Sequence, residues 1–398
     1  MNVRGRFDLT YCSNIHAGES WSDVDRALRG ALPAIRQHLK ATGPFAIGLR
    51  LSDRAARELE QPAALNEFLD YLRLGDYYVP TINGFPFGAF HGERVKERVY
   101  LPDWREPARL EYSNRLATLL AALLADRSLS EGSVSTVPGA FKGHLHSDDD
   151  PAAIARGILE HATHLARLRE RTGVTIALGI EPEPACFIET TGEAVDFFTR
   201  FLFDDAFVGA WSRGQGAMLS VEDVRRHIGV CFDACHMAVQ FEDPAASLND
   251  LDRAGIRIPK FQISSALRVS DPSPGSPGRR ALERFAEDTY LHQVVSRSGG
   301  GLTRFVDLPE ALAADVRVAD EWRIHFHVPI VLRLLGELET TQPDLETMLA
   351  LVSARPAAAC LEVETYTWGV LPAEYRTAQM SEAIARELAW ARDRVERR

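Results

Sequence analysis

The feature that most constrains this chain is its rhythm. Short runs rich in Val, Ile, Phe and Tyr alternate with long stretches of helical periodicity along almost all 398 residues. The strand candidates are Phe7–Cys12, Ala46–Leu51, Tyr78–Ile82, Ser133–Pro138, Thr175–Ile180, Gly229–Phe232, Pro259–Ile263 and Ala359–Val363. Between them, Asp23–Lys40 behind Ser22 keeps Val24, Leu28, Leu32, Ile35 and Leu39 on one helical face. A second helix opens at Asp53. Pro107 opens Glu106–Asp126, and Asp150 with Pro151 supplies a cap and first-turn proline for Ala152–Arg171. Further helices are expected at Thr191–Phe203, Ser220–Ile228, Ala245–Ala254, Pro343–Ala354 and Glu374–Val395.

Eight strands in alternation with helices predict a parallel sheet, and a closed (β/α)₈ TIM barrel uses that count most simply. An open doubly wound sheet is the alternative. No GxGxxG or GxxxxGK[ST] follows the first strand, which removes the usual reason to prefer it. The reading is one barrel domain over 1–398, with 264–329 as an insertion between strands seven and eight over the C-terminal mouth. That insertion holds the turn-rich Ser270–Arg280, a strand-like Tyr290–Val295, a triple glycine and a strand-like Arg323–His327.

The formal net charge of −11 repels polyphosphate, and no local basic patch offsets it, so nucleic acid is not an expected partner. Five scattered cysteines suit a reducing compartment, and Cys231 and Cys235 lack CxxC spacing. The N-terminus lacks the pattern of a signal peptide, and the longest apolar run, Leu116–Ala125, is about half of the ~20 residues a membrane span requires. A soluble cytoplasmic protein is expected.

Chemistry concentrates at the ends of the late strands. Strand five runs into IEPEP, with Glu181 at its end and Glu183 beyond; strand six runs into FDACH, with Asp233 and then His236. Strand seven carries Lys260 and Gln262 on one parity, and strand eight carries Glu362 and Glu364 on one parity. Charges facing the helix layer would be costly, so these side chains are expected to point inward. Glu181, Asp233 and Glu364 converging on one axis cannot all stay ionised without a cation or shared protons. A divalent metal resolves this, and carboxylates with imidazole suit Mn²⁺, Mg²⁺, Zn²⁺ or Fe²⁺.

His325 and His327 lie two apart, on one face of an extended segment. His292 and His16 are further candidates. His144 and His146 read as polar loop, and His38, His161, His164 and His227 as solvated helix positions. No GxSxG elbow is present, and Cys235 reads as packed rather than nucleophilic.

These motifs resemble the xylose-isomerase-like barrel superfamily of sugar isomerases, hexulose epimerases, inosose-type dehydratases and endonuclease IV. The matching pieces are IEPEP at Glu181, CFDACH at Asp233–His236 and LEVET at Glu364. The last two look particularly like endonuclease IV, and His325–His327 falls where that enzyme has an Asp-x-His metal motif. Over most of the chain, TYCSNIHAGESW (Thr10–Trp21), NGFPFGAFHG (Asn83–Gly92), IHFHVP (Ile324–Pro329) and LEVETYTW (Leu361–Trp368) resemble the metabolite-traffic family EboE.

The resemblance implies metal ligands at Glu181, Asp233 and Glu364, with His236, His325 and His327 serving a second metal or orienting substrate. It places Gln262 where strand seven usually supplies histidine, an amide that disfavours zinc. His16, His91, Glu183, Lys260 and His292 become candidates for substrate contact. Endonuclease IV's early-strand histidines lack counterparts beyond His91 and His16, which together with the acidic charge argues against DNA repair.

The implied setting is a bacterial pathway that processes or moves a small metabolite, with possible partner proteins and a prenyltransferase-like membrane protein alongside. The leading expectation is a metal-dependent isomerase or epimerase acting on a small polyhydroxylated metabolite, with Glu181 and Glu364 exchanging a proton on opposite faces. Metal-assisted hydrolysis at a di- or trinuclear site is the second reading. A non-catalytic barrel that binds and hands on a metabolite is the third.

Overall fold

The computed structural model describes residues 1–92, 94–314, 319–356, 359–377 and 379–396. Eight parallel strands follow the chain in order: β1 (Phe7–Tyr11), β2 (Phe45–Arg50), β3 (Tyr77–Asn83), β4 (Glu131–Thr136), β5 (Thr175–Ile180), β6 (Ile228–Asp233), β7 (Arg257–Ile263) and β8 (Ala359–Val363). The expected positions are all occupied, with ends shifted by at most two residues. Each strand pairs in parallel with its sequence neighbour from β2 to β8, and β8 pairs in parallel with β1. A parallel bridge from Cys12 to Gly48 joins β1 to β2 and closes the ring, making this a (β/α)₈ barrel. Asn2–Val3 adds a short antiparallel strand outside β1.

Gly48 at that closure has a specific reason. A Cβ there would lie 1.8 Å from Glu362 Oε2 and 2.6 Å from the Tyr11 carbonyl oxygen, so the barrel closes around the carboxylate only with glycine.

The helices differ from expectation in detail. Ser20, not Ser22, caps the first helix (Trp21–Leu39) in a capping box with Asp23. The stretch after Asp53 divides into Asp53–Leu59 and Pro62–Gly75, because Pro62 starts a new helix. Asp149 is the residue before the helix Asp150–Thr172, while the Asp150 carboxylate accepts from the backbone N–H groups of His146 and Ser147. The final helix runs Met380–Glu396. An additional helix, Asp205–Gln215, was not foreseen; Gly209 and Gly214 weaken its local signal, and burial of Val208 and Trp211 stabilises it.

The long connection from β7 to β8 builds its own antiparallel sheet of six short strands, whose order is 301–305, 294–298, 321–324, 267–269, 338–340 and 334–335. Gly299 and Gly300, both at positive φ, make the two-residue turn of its outer hairpin. The sheet has a hydrophobic cluster of its own, with Trp322, Ile324 and Phe326 fully buried. Pro277–Leu282, which overlaps the end of the stretch read as turn-rich, is helical, and buried Arg279 ties it to the carbonyls of Pro272, Leu312 and Ala314. No helix among the described residues is long and apolar enough to cross a membrane.

Candidate metal centre

Three carboxylates meet at the C-terminal mouth. Glu181 follows β5, Asp233 ends β6 and Glu364 follows β8, and one oxygen from each lies within 4.8 Å of the others. All three are buried. Burial foremost, then the Glu364 and Asp233 charges, push the Glu181 carboxyl well above its ordinary range. Burial, then Asp233 and Glu362, do the same to Glu364.

Neighbours fix two of the three. Asn14 and Asn83 donate through Nδ2 to one Glu364 oxygen at 2.8 and 2.9 Å. Asp233 accepts from the His236 N–H at 3.0 Å and the Ser264 hydroxyl at 2.8 Å, capping the short helix Ala234–Val239. Among the described residues, Glu181 Oε2 and Asp233 Oδ2 have no hydrogen-bond partner. The Gln262 amide, fully buried on β7 in register with Asp233, has none for either polar atom. Buried orphaned oxygens around a like-charged cluster are what a hard cation satisfies, so these donors fit a divalent metal.

A second convergence lies beside the first. His236 Nδ1 donates to the Pro182 carbonyl at 2.9 Å, and His327 Nδ1 donates to the Glu364 carbonyl at 3.0 Å. His325 Nδ1 lies 2.7 Å from Gln293 Oε1, and the Gln293 amide orientation is fixed because Nε2 donates to the Pro184 carbonyl. Each imidazole therefore donates through Nδ1 and turns its Nε2 inward. The His236 Nε2 lies 3.0 Å from that of His325 and 3.4 Å from that of His327. Burial, then the neighbouring imidazoles, push His325 well below its ordinary range; burial brings His327 down to about 4. Asp233 belongs to both clusters, since its carboxylate also lies within 4.8 Å of His236 and His327 donors.

Apart from Asp233, the two clusters form the floor of a cavity whose water-accessible volume is about 50 Å³. Glu181, Glu183, His236, His325, His327 and Glu364 all line it, as do Asn14, Asn83 and Tyr100. Glu183 accepts from the Tyr100 hydroxyl at 2.7 Å, and burial raises its carboxyl to about 7.

Four residues expected to touch substrate lie elsewhere. Lys260 is fully buried beneath the floor, its Nζ 2.6 Å from Glu362 Oε1. His292 sits behind the wall, its ring nitrogens facing the His325 carbonyl and the Glu287 carboxylate. His91 braces the Asn14 carbonyl and the Tyr290 hydroxyl from outside. His16 lines a separate small cavity beside Arg50 and bonds the Tyr11 hydroxyl at 3.1 Å. His161 and His227, read as solvated, are buried; they bond Asn114 and the Ile176 carbonyl through Nδ1. Asn14, Asn83, Tyr100 and Gln293 were missed. Asn83 had a usable signal, a polar amide at the end of a strand.

Glu287 holds the inner wall by accepting from the N–H groups of Thr289 and Tyr290 and pairing with His292 at 2.8 Å. Burial alone would raise its carboxyl, but the hydrogen bond and charge of His292 outweigh it and hold it at about 2. A depressed folded value contributes stability above pH ~4.5 that is lost as pH falls toward 2. Thermal midpoints recorded from pH 5 to 2 should fall less steeply for Glu287→Gln than for the parent, and equal slopes would refute this role.

No protein-family model matches the chain, and no curated protein matches it. Solved structures that resemble it include the IolI protein with a bound zinc atom (15% identity, 98% of this chain and 99% of that one, TM-score 0.48). Another is D-allulose 3-epimerase from Methylomonas sp. in complex with D-allulose (12%, 97% and 96%, TM-score 0.45). A third is the probable 3-DHS dehydratase AsbF from Bacillus anthracis (10%, 96% and 97%, TM-score 0.47). At these scores the barrel assignment rests on strand order, and the chemistry on the site itself.

Proposed function

We propose that this chain is a metal-dependent isomerase or epimerase of the xylose-isomerase-like kind, acting on a small metabolite that presents adjacent oxygens, within an EboE-type metabolite-traffic pathway. The observation that carries the reading is the buried convergence of Glu181, Asp233 and Glu364, with orphaned oxygens on two of them. Gln262 would complete the donor set from β7. A cation held there would supply the positive charge that makes a proton next to a carbonyl acidic.

The chain's own groups supply the rest. Glu364 is held in one orientation by Asn14 and Asn83. Glu181 approaches from β5 and would accept or return the proton at whichever of its two oxygens a cation leaves free. Glu183, at about 7, stands on the same cavity wall to relay it. The test is to incubate purified protein, loaded with Mn²⁺ or Mg²⁺, with ketoses, cyclitols and aryl α-hydroxyketones in D₂O. Deuterium incorporated at one carbon supports the reading, and none across a broad panel removes it.

The imidazole donors favour a second reading, metal-assisted hydrolysis at a di- or trinuclear site to which Asp233 would contribute. Metal analysis separates the two: one tightly held equivalent per chain supports isomerisation, and two or more support hydrolysis.

A further inference from the structure

The floor and the walls of the cavity differ in chemistry. The floor carries carboxylates and imidazoles. Above it rise Phe85, Phe90, Val95, Val99, Tyr290 and Tyr366. Phe90, Tyr290 and Tyr366 pack as a closed trio with centroids 5.1–5.2 Å apart. Tyr366 in turn lies 4.8 Å from the His327 ring, so aromatic surface runs directly to the candidate metal donors.

Most polar atoms on these walls are already engaged by the protein. The Tyr290 hydroxyl donates to the Phe90 carbonyl at 2.8 Å, and the Tyr100 hydroxyl to Glu183 at 2.7 Å. Lys96 reaches away, with Nζ 2.6 Å from Asp307 and 3.0 Å from the Glu287 carbonyl. The Asn14 and Asn83 amides donate to Glu364. Among these groups the Tyr366 hydroxyl and the Asn14 Oδ1 are left uncommitted. A free ketose carries a hydroxyl on nearly every carbon, and here most would lose water without gaining a partner.

We infer that the substrate is a flat apolar body, aromatic or similarly unsaturated, that carries its adjacent oxygens at one end only. The head faces the carboxylates and imidazoles, while the body lies along Phe90, Val99 and Tyr366. The identity of the head rests on the metal-dependent reading above; the apolar body rests on the walls alone.

Two measurements test this independently. In Mn²⁺-loaded protein, calorimetry compares benzohydroxamate with acetohydroxamate, which chelate through the same atoms and differ only in phenyl against methyl. Benzohydroxamate should bind at least tenfold more tightly, and Phe90→Ser should shrink the difference to less than threefold. D-fructose should bind more weakly than benzohydroxamate. Equal affinity of the two hydroxamates, or tighter binding of D-fructose, would overturn the inference.

In metal-free protein, saturation-transfer NMR compares catechol with glycerol. Saturation confined to catechol supports an apolar wall even if no cation is retained, an outcome that would defeat only the metal reading. Equal transfer to glycerol overturns the inference, whatever the metal content.

Discussion

Asp233→Asn is expected to strip the chain of tightly held metal while leaving it folded. Asp233 is the one residue shared by the carboxylate cluster and an imidazole cluster, so its loss affects both sets of donors. Asparagine keeps a side-chain oxygen where Asp233 Oδ1 now accepts from the His236 N–H and the Ser264 hydroxyl, so the cap of Ala234–Val239 survives. What disappears is the charge and the anionic Oδ2 that faces the site without a partner.

Supporting residues around metal ligands cost about 10–100-fold in affinity when replaced, so removing a shared ligand should cost on the order of 100-fold or more. Metal content after dialysis, measured beside the thermal midpoint of the metal-free form, separates lost binding from lost folding. Parent-like metal retention would exclude Asp233 from the centre. Glu181→Gln should weaken binding too, but leave the imidazole donors in place.

Much of this site was legible because a barrel converts sequence parity into direction. A carboxylate just past a buried parallel strand points into the mouth, and that rule alone brings Glu181, Asp233 and Glu364 together. Parity gives direction but not depth. Lys260 and Gln262 share a face of β7, yet Lys260 is two residues earlier, a layer of roughly 6–7 Å deeper at the usual rise. It meets Glu362 there and never reaches the cavity.

Loops carry no such rule. His16, His91 and His292 follow no period that would show whether they face the cavity or brace its wall from behind. The HxH segment reaches the cavity for a local reason: Phe326, between the two histidines, is anchored in the insertion's own core, which turns both imidazoles the other way. The Asn14 and Asn83 contacts with Glu364 join positions far apart in the chain, so no local pattern could announce them.

The largest effect on stability is expected beneath the floor. Lys260 and Glu362 are both fully buried and lie 2.6 Å apart, with the Lys260 ammonium also donating to the Ser135 hydroxyl at 3.2 Å. Burial alone would drive the Lys260 proton off, but the Glu362 charge foremost outweighs it and raises the amine well above its ordinary range. Glu362→Ala would leave that ammonium without its counter-charge inside the barrel. Breaking such a pair costs about 3–5 kcal/mol, much of it the penalty of the stranded charge and not the worth of the bond.

Urea unfolding of the single variant should show that loss. The double variant Lys260→Met, Glu362→Leu should recover most of it, because apolar side chains of similar volume need no desolvation. Gly48 must stay, since the new side chain at 362 occupies the space a Cβ there would claim. A loss below about 1 kcal/mol in the single variant would mean that another group neutralises Lys260. Metal retention by the double variant would then confirm that Glu362 serves the barrel and not the centre above it, as its absence from every candidate donor cluster among the described residues implies.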